Sequence, residues 1–200
     1  MGIFCSKKDV LTMLHDQACK LEEGLMVLDE FVNRPNEESK LKIQKLRVEI
    51  EKLQERIVEE SNFDSAPPFE KEDIFNFSRL IYDTIDYSNS TIEDMLLFKL
   101  ESNQYLSKMV KILYESNQHL GIAIKLINLY PRFCYEYVLR AKRYADYIRA
   151  LFKDALNDLS KGKDRVSEMA LKEVYKDVLS AFESSYELVN DISHAVVMVD

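Results

Sequence analysis

The sequence predicts an all-α fold, and three observations carry that expectation. Only four glycines and four prolines occur in 200 residues, too little turn chemistry for strands joined by tight hairpins. Apolar residues recur at alternating spacings of three and four along most of the chain, which is the stripe of a packed helix. The prolines and Gly162 fall between these stripes, where helices must stop.

The first stripe is Leu11, Leu14, Ala18, Leu21, Leu25, Leu28 and Val32, and Pro35 ends it. A second runs through Ile43, Leu46, Ile50, Leu53 and Ile57 and stops in the Asn62 to Pro68 segment, since Pro67-Pro68 cannot continue a helix. A third begins at about Glu70 with acids in its first turn, as the helix dipole prefers. It uses Ile74, Phe77, Ile81, Ile85, Ser88, Ile92 and Met95, and its register fades over Glu101 to Gln104, the midpoint of the chain.

A fourth stripe follows with Leu106, Val110, Leu113, Leu120, Ile124 and Ile127, closed by Pro131. The fifth carries Val138, Ala141, Ala145, Ile148, Phe152, Ala155 and Leu159 and ends near Gly162; the sixth runs from about Val166 almost to the C-terminus. Six long helices in near-antiparallel packing are therefore expected. Periodicity alone leaves open whether they form two three-helix units or one irregular bundle.

Composition excludes several classes. The net charge of −8 argues against nucleic-acid binding, which rests on basic surface that neutralises phosphates. No apolar run approaches the roughly 20 residues needed to cross a bilayer, and the N-terminus lacks the apolar core of a signal peptide, so a cytoplasmic protein is expected. Cys5, Cys19 and Cys134 are odd in number and widely spread, and packing roles are expected for them. With no Gly-rich phosphate loop and no nucleophile elbow, no enzyme is expected.

Around Pro67-Pro68-Phe69-Glu70-Lys71-Glu72-Asp73-Ile74, followed by Ile81-Tyr82-Asp83-Thr84-Ile85-Asp86-Tyr87, the chain resembles the PhoU-like phosphate-transport regulators, in the branch of Pit-transporter accessory proteins. That family typically shows a Pro-Phe-Asp-Arg-Glu-Asp-Ile entry to a helix carrying Leu-Asp-Asp-x-x-Asp, so the match is close but substituted. Ala145-Asp146 is similar to the family's Ala-Asp pair. The resemblance implies two three-helix units with approximate twofold symmetry, a single PhoU-like domain over 1–200 with an internal repeat of about 9–101 and 103–199. It also implies a non-catalytic cytoplasmic regulator or accessory protein of a membrane inorganic phosphate transporter, peripheral to the inner face of the membrane. The expected partner is the phosphate permease, with a homodimer allowed.

The family carries Glu/Asp-x-x-x-Asp pairs on four helices, which bind metal ions. Its second acid falls on Glu51, Asp86, Asp146 and Glu183, each just after an apolar stripe residue (Ile50, Ile85, Ala145, Phe182). The separations within each half are both about 36 residues, as a repeated helix pair requires. The partner acid is missing throughout: Arg47, Tyr82, Lys142 and Leu179 stand in its place. Arg47 and Lys142 are expected to neutralise the acid four residues on instead. The implied metal residues are thus Glu51, Asp86, Asp146 and Glu183, with Asp83 as a partial substitute on one helix. The reading favours no cofactor, with divalent or iron ions as the alternative: a carboxylate metal-binding bundle, or else a helical scaffold for another protein.

Four smaller features remain. Asp191 and His194 have the carboxylate-x-x-His spacing of di-iron bundles, but such sites need two copies, so capping or solvent exposure is expected for His194. His15 and His119 are read as having no acid or cysteine at ligand spacing. Met1-Gly2-Ile3-Phe4-Cys5-Ser6 fits an N-terminal acylation pattern with Lys7 and Lys8 beside it, although such modification is foreign to the bacterial and archaeal family resembled. Arg132, Phe133, Tyr137, Arg140 and Tyr144 cluster aromatic rings with guanidinium groups, as interface hot spots do, and mark the expected partner surface.

Overall fold

The computed structural model describes residues 7–61, 69–127, 130–160 and 165–197, and these are helical almost throughout. The elements are α1 (Lys7–Asn33), α2 (Glu37–Ser61), α3 (Lys71–Leu97), α4 (Gln104–Leu126), α5 (Pro131–Lys142), α6 (Ala145–Leu159) and α7 (Arg165–Val197). Five of the expected six helices appear as single rods. The fifth is two segments, α5 and α6, because the N–H groups of Arg143 and Tyr144 bond back three residues, to Arg140 and Ala141, instead of four. That tightening interrupts the α-helical ladder without a proline or glycine.

Local chemistry sets the other ends. The backbone N–H of Glu70 donates to the Asp73 carboxylate at 2.9 Å as α3 begins, one half of a capping box. Asn103 caps α4 by accepting from the N–H groups of Tyr105 and Leu106 at 3.0 and 3.1 Å. Between α3 and α4, Lys99 takes a positive φ of 52° to turn the chain.

The stripes become the core. Leu25, Leu28, Ile43, Ile50, Ile81, Ile85, Leu113, Ile148 and Phe182 are all fully buried, and only Leu11, Leu53, Phe152 and Leu159 of the stripe residues stay partly exposed. Truncating any of the first group to alanine costs about 2–5 kcal/mol.

Packing follows two groups of three, α1-α2-α3 and α4-(α5, α6)-α7, joined by an extensive α3–α7 interface and by α1 against α4. An approximate twofold exchanging α1 with α4 and α3 with α7 accounts for both joints, so the all-α bundle of two three-helix units is the fold observed. α1 runs antiparallel to α2, and α3 to α7. Lys20 and Lys42 pair with Glu49 and Glu23 between α1 and α2; Asn76 and Arg79 meet Asp191 and Glu187 between α3 and α7. Gln17 donates at 3.3 Å to the carbonyls of both Ile50 and Ser78, tying the first unit together from inside, and Ser185 donates to Asn117 at 2.9 Å within the second.

Candidate functional site

The residues after Ile50, Ile85, Ala145 and Phe182 stand where each helix leaves the core. Those four apolar side chains are buried, which places Glu51, Asp86 and Glu183 at half-buried edges and Asp146 in the open. Asp146 thus differs in exposure from the other three acids.

Two of the acids are held by arginines from a neighbouring helix. Arg47 on α2 donates through Nε to Asp86 on α3 and through Nη2 to the Tyr82 hydroxyl at 2.6 Å. Its guanidinium carbon also lies 5.3 Å from the Tyr82 ring centre. In the second unit Arg149 on α6 donates to both oxygens of Glu183 on α7 at 2.8 Å and lies 5.0 Å over the ring of Tyr186. Each unit therefore builds the same trio: a guanidinium from its second helix, a carboxylate on its third, and a tyrosine about one turn away to stack on.

A third arginine joins the units. Arg79 donates to Asp83 at 2.7 Å along α3 and reaches Glu187 of α7 at 3.7 Å. It also contacts Asn76 Oδ1 at 2.6 Å, while Asn76 donates to Asp191 at 2.6 Å. The result is a band of alternating charge from α2 over α3 and α7 to α6. Asp83 and Asp191 are both pushed up from the ordinary carboxylate range, chiefly by burial.

This arrangement corrects one expectation. Arg47 does not turn along its own helix to Glu51; it crosses to Asp86, because a buried stripe on α2 and α3 brings the two helix edges together. Lys142 has no such route to Asp146, since the Arg143–Tyr144 interruption lies between them. It is half-buried, with its ammonium pushed down by that burial. The Asp146 charge acts instead on Arg149, where it adds to the larger effect of the Glu183 hydrogen bonds.

The band does not fit a cluster of cations. Such a site needs several carboxylates with free lone pairs converging on one point, and here Asp83, Asp86 and Glu183 already accept from guanidinium groups. Among the described residues no three His, Cys, Asp or Glu side chains converge to hold a metal.

Farther along the α3–α7 seam, Asp94 on α3 faces Glu173 and Asp177 on α7. Burial, then the charges of Asp94 and Glu173, push the Asp177 carboxyl up to about 7. Sequence spacing gave no hint of this cluster, because Asp94 and Asp177 lie on helices of different units.

The aromatic and arginine cluster divides. Arg132, Phe133 and Arg140 are exposed, whereas Tyr137 and Tyr144 are half-buried with their rings 6.1 and 6.2 Å from His119. Burial and then the Arg140 charge push the His119 imidazole down. The histidines are less isolated than expected: Cys19 lies one turn after His15, with Sγ 3.7 Å from Nε2, and Glu115 acts on His119 from one turn before it. Cys134 packs as expected and its thiol is pushed up to about 12 by burial, but Cys19 is exposed. His194 is exposed. Cys5 and the acylation pattern lie outside the described residues.

No protein-family model matches this sequence, and no curated protein does. Among solved structures the chain is similar to a PhoU-like protein from Shewanella oneidensis MR-1, with a TM-score of 0.69 over 98% of this chain and 100% of that one. The two share 12% sequence identity, so the likeness shows the PhoU-like fold. No helix among the described residues is long and apolar enough to cross a membrane.

Proposed function

We propose that the chain is a non-catalytic regulator or accessory subunit that docks peripherally, from the cytoplasmic side, on a membrane inorganic phosphate transporter of the Pit type. The observation that carries this reading is the end-to-end fold likeness to a PhoU-like protein, which covers 98% of this chain and 100% of that one. The Pro68-to-Ile74 entry to α3 and the Tyr82-to-Asp86 segment add the branch. An acidic surface, at a net charge of −8, suits the basic cytoplasmic loops that permeases carry.

Co-purification with a co-expressed phosphate permease tests it. Capture that weakens as ionic strength rises is the expected result, because charge complementarity is screened by salt. Salt-insensitive capture, or none, counts against the reading. The carboxylate metal-binding alternative is disfavoured by the guanidinium groups that hold Asp83, Asp86 and Glu183.

A further inference from the structure

We propose that the outward face of α5 is a contact surface for an anionic lipid bilayer. α5 turns Cys134, Val138 and Ala141 into the core, all fully buried. At 3.6 residues per turn the opposite arc must face out, and it carries Arg132, Phe133, Tyr135, Glu136, Leu139 and Arg140, every one exposed. Phe133 is 57% exposed and Tyr130, just before the helix, 56%. The two rings meet edge-on at 6.1 Å, so neither is used to cover the core.

Charge selects the occupant. Between Tyr130 and Tyr144 three exposed cations, Arg132, Arg140 and Arg143, stand against the single acid Glu136, in a chain whose net charge is −8. A cationic island on an acidic molecule attracts anionic headgroups and repels the basic loops of a permease. The rings point the same way. Aromatic side chains flanked by arginine on a helix that faces solvent match the make-up of helices lying in the membrane interface, with rings at headgroup level and guanidinium groups on phosphates. Arg140 is held for this by its stacking over Tyr137, 5.0 Å from the ring centre. One such face gives reversible contact, not an anchor. The proposal does not rest on the transporter reading, because a bilayer binds this face whether or not a permease is nearby.

Co-sedimentation of the full chain with vesicles is the test. Vesicles of phosphatidylcholine containing phosphatidylglycerol are expected to pellet the protein at low ionic strength, and pure phosphatidylcholine vesicles are not. Arg132→Glu with Arg140→Glu should lower the partition coefficient by about tenfold or more, and Phe133→Ser should lower it while leaving its salt dependence unchanged. These side chains are exposed, so circular dichroism should show the fold intact in each variant. Wild-type protein that stays in solution with phosphatidylglycerol vesicles overturns the proposal. So does equal pelleting of the charge-reversed variant, or a result in which the substitutions dissociate a homodimer in sedimentation velocity while vesicle pelleting is unchanged.

Discussion

Arg149 grips Glu183 through two parallel hydrogen bonds, Nε to Oε1 and Nη2 to Oε2, both 2.8 Å, and so pins α6 to α7. The side chains are 39% and 41% exposed, so water screens the pair and its worth is about 0.5–1 kcal/mol. Arg149→Ala should lower stability by that amount. Arg149→Lys should recover only part of it, because an ammonium keeps the charge and loses the fork. A double-mutant cycle with Glu183→Gln, read by urea denaturation, measures the coupling, and a value of zero would show that the contact contributes nothing.

Gly24 is buried on α1 at its crossing with α3, where an added Cβ would stand 2.3 Å from Cδ1 of the fully buried Ile85. The small residue sets that approach. Gly24→Ala should destabilise the protein, since overpacking at about 1–3 kcal/mol outweighs the ~1 kcal/mol that alanine gains in a helix. Against an Ile85→Val background, which removes Cδ1, the same change should become neutral or stabilising. Thermal melts of the four proteins check the sign reversal.

Asp177 gives the α3–α7 seam a pH dependence. Its carboxyl is raised to about 7, so in the folded protein it keeps its proton where the unfolded chain has already lost it. The folded state therefore binds more protons between about pH 4 and 7, and stability falls as pH rises through that window. Asp177→Asn removes the penalty: it should stabilise by about 2 kcal/mol at pH 8 and by little at pH 4. The charges that face Asp177 are Asp94 and Asp86 from α3 and Glu173 and Lys176 from its own helix. Unfolding curves across pH decide it; a pH-independent effect would mean that Asp177 titrates normally.

Metal removal is expected to leave this fold unchanged, since the cations of the α2–α3–α7–α6 band are its own arginines. Chelator treatment should not shift the melting temperature, and elemental analysis should find no transition metal held by Asp86 or Glu183. Near-stoichiometric iron, zinc or manganese that Asp86→Ala removes would sink this expectation.

The acidic positions show how far spacing carries a site. Asp86 and Glu183 were legible because each follows a buried stripe residue, and the step from core face to edge is a property of one helix. Their partners were not legible in the same way. Arg47 was visible four residues before Glu51, which favoured a pairing within α2, while the structure sends it 39 residues along the chain to Asp86. Arg79 and Glu187 stand 108 residues apart in sequence, and only the antiparallel seam of α3 and α7 brings them within 3.7 Å.

The helices and their inward faces are written in the residue order, because 3.6-residue periodicity and proline placement act locally and decide which side chains leave water. Even the break at Arg143 and Tyr144 escaped it, as no glycine or proline marks that turn. What the charged edges do is settled by how the helices pack. A carboxylate at a helix edge can meet a metal, a lysine one turn away or an arginine on another helix. The choice depends on which edges packing brings together, and burial of the stripes set Arg47 beside Asp86 and Arg149 beside Glu183.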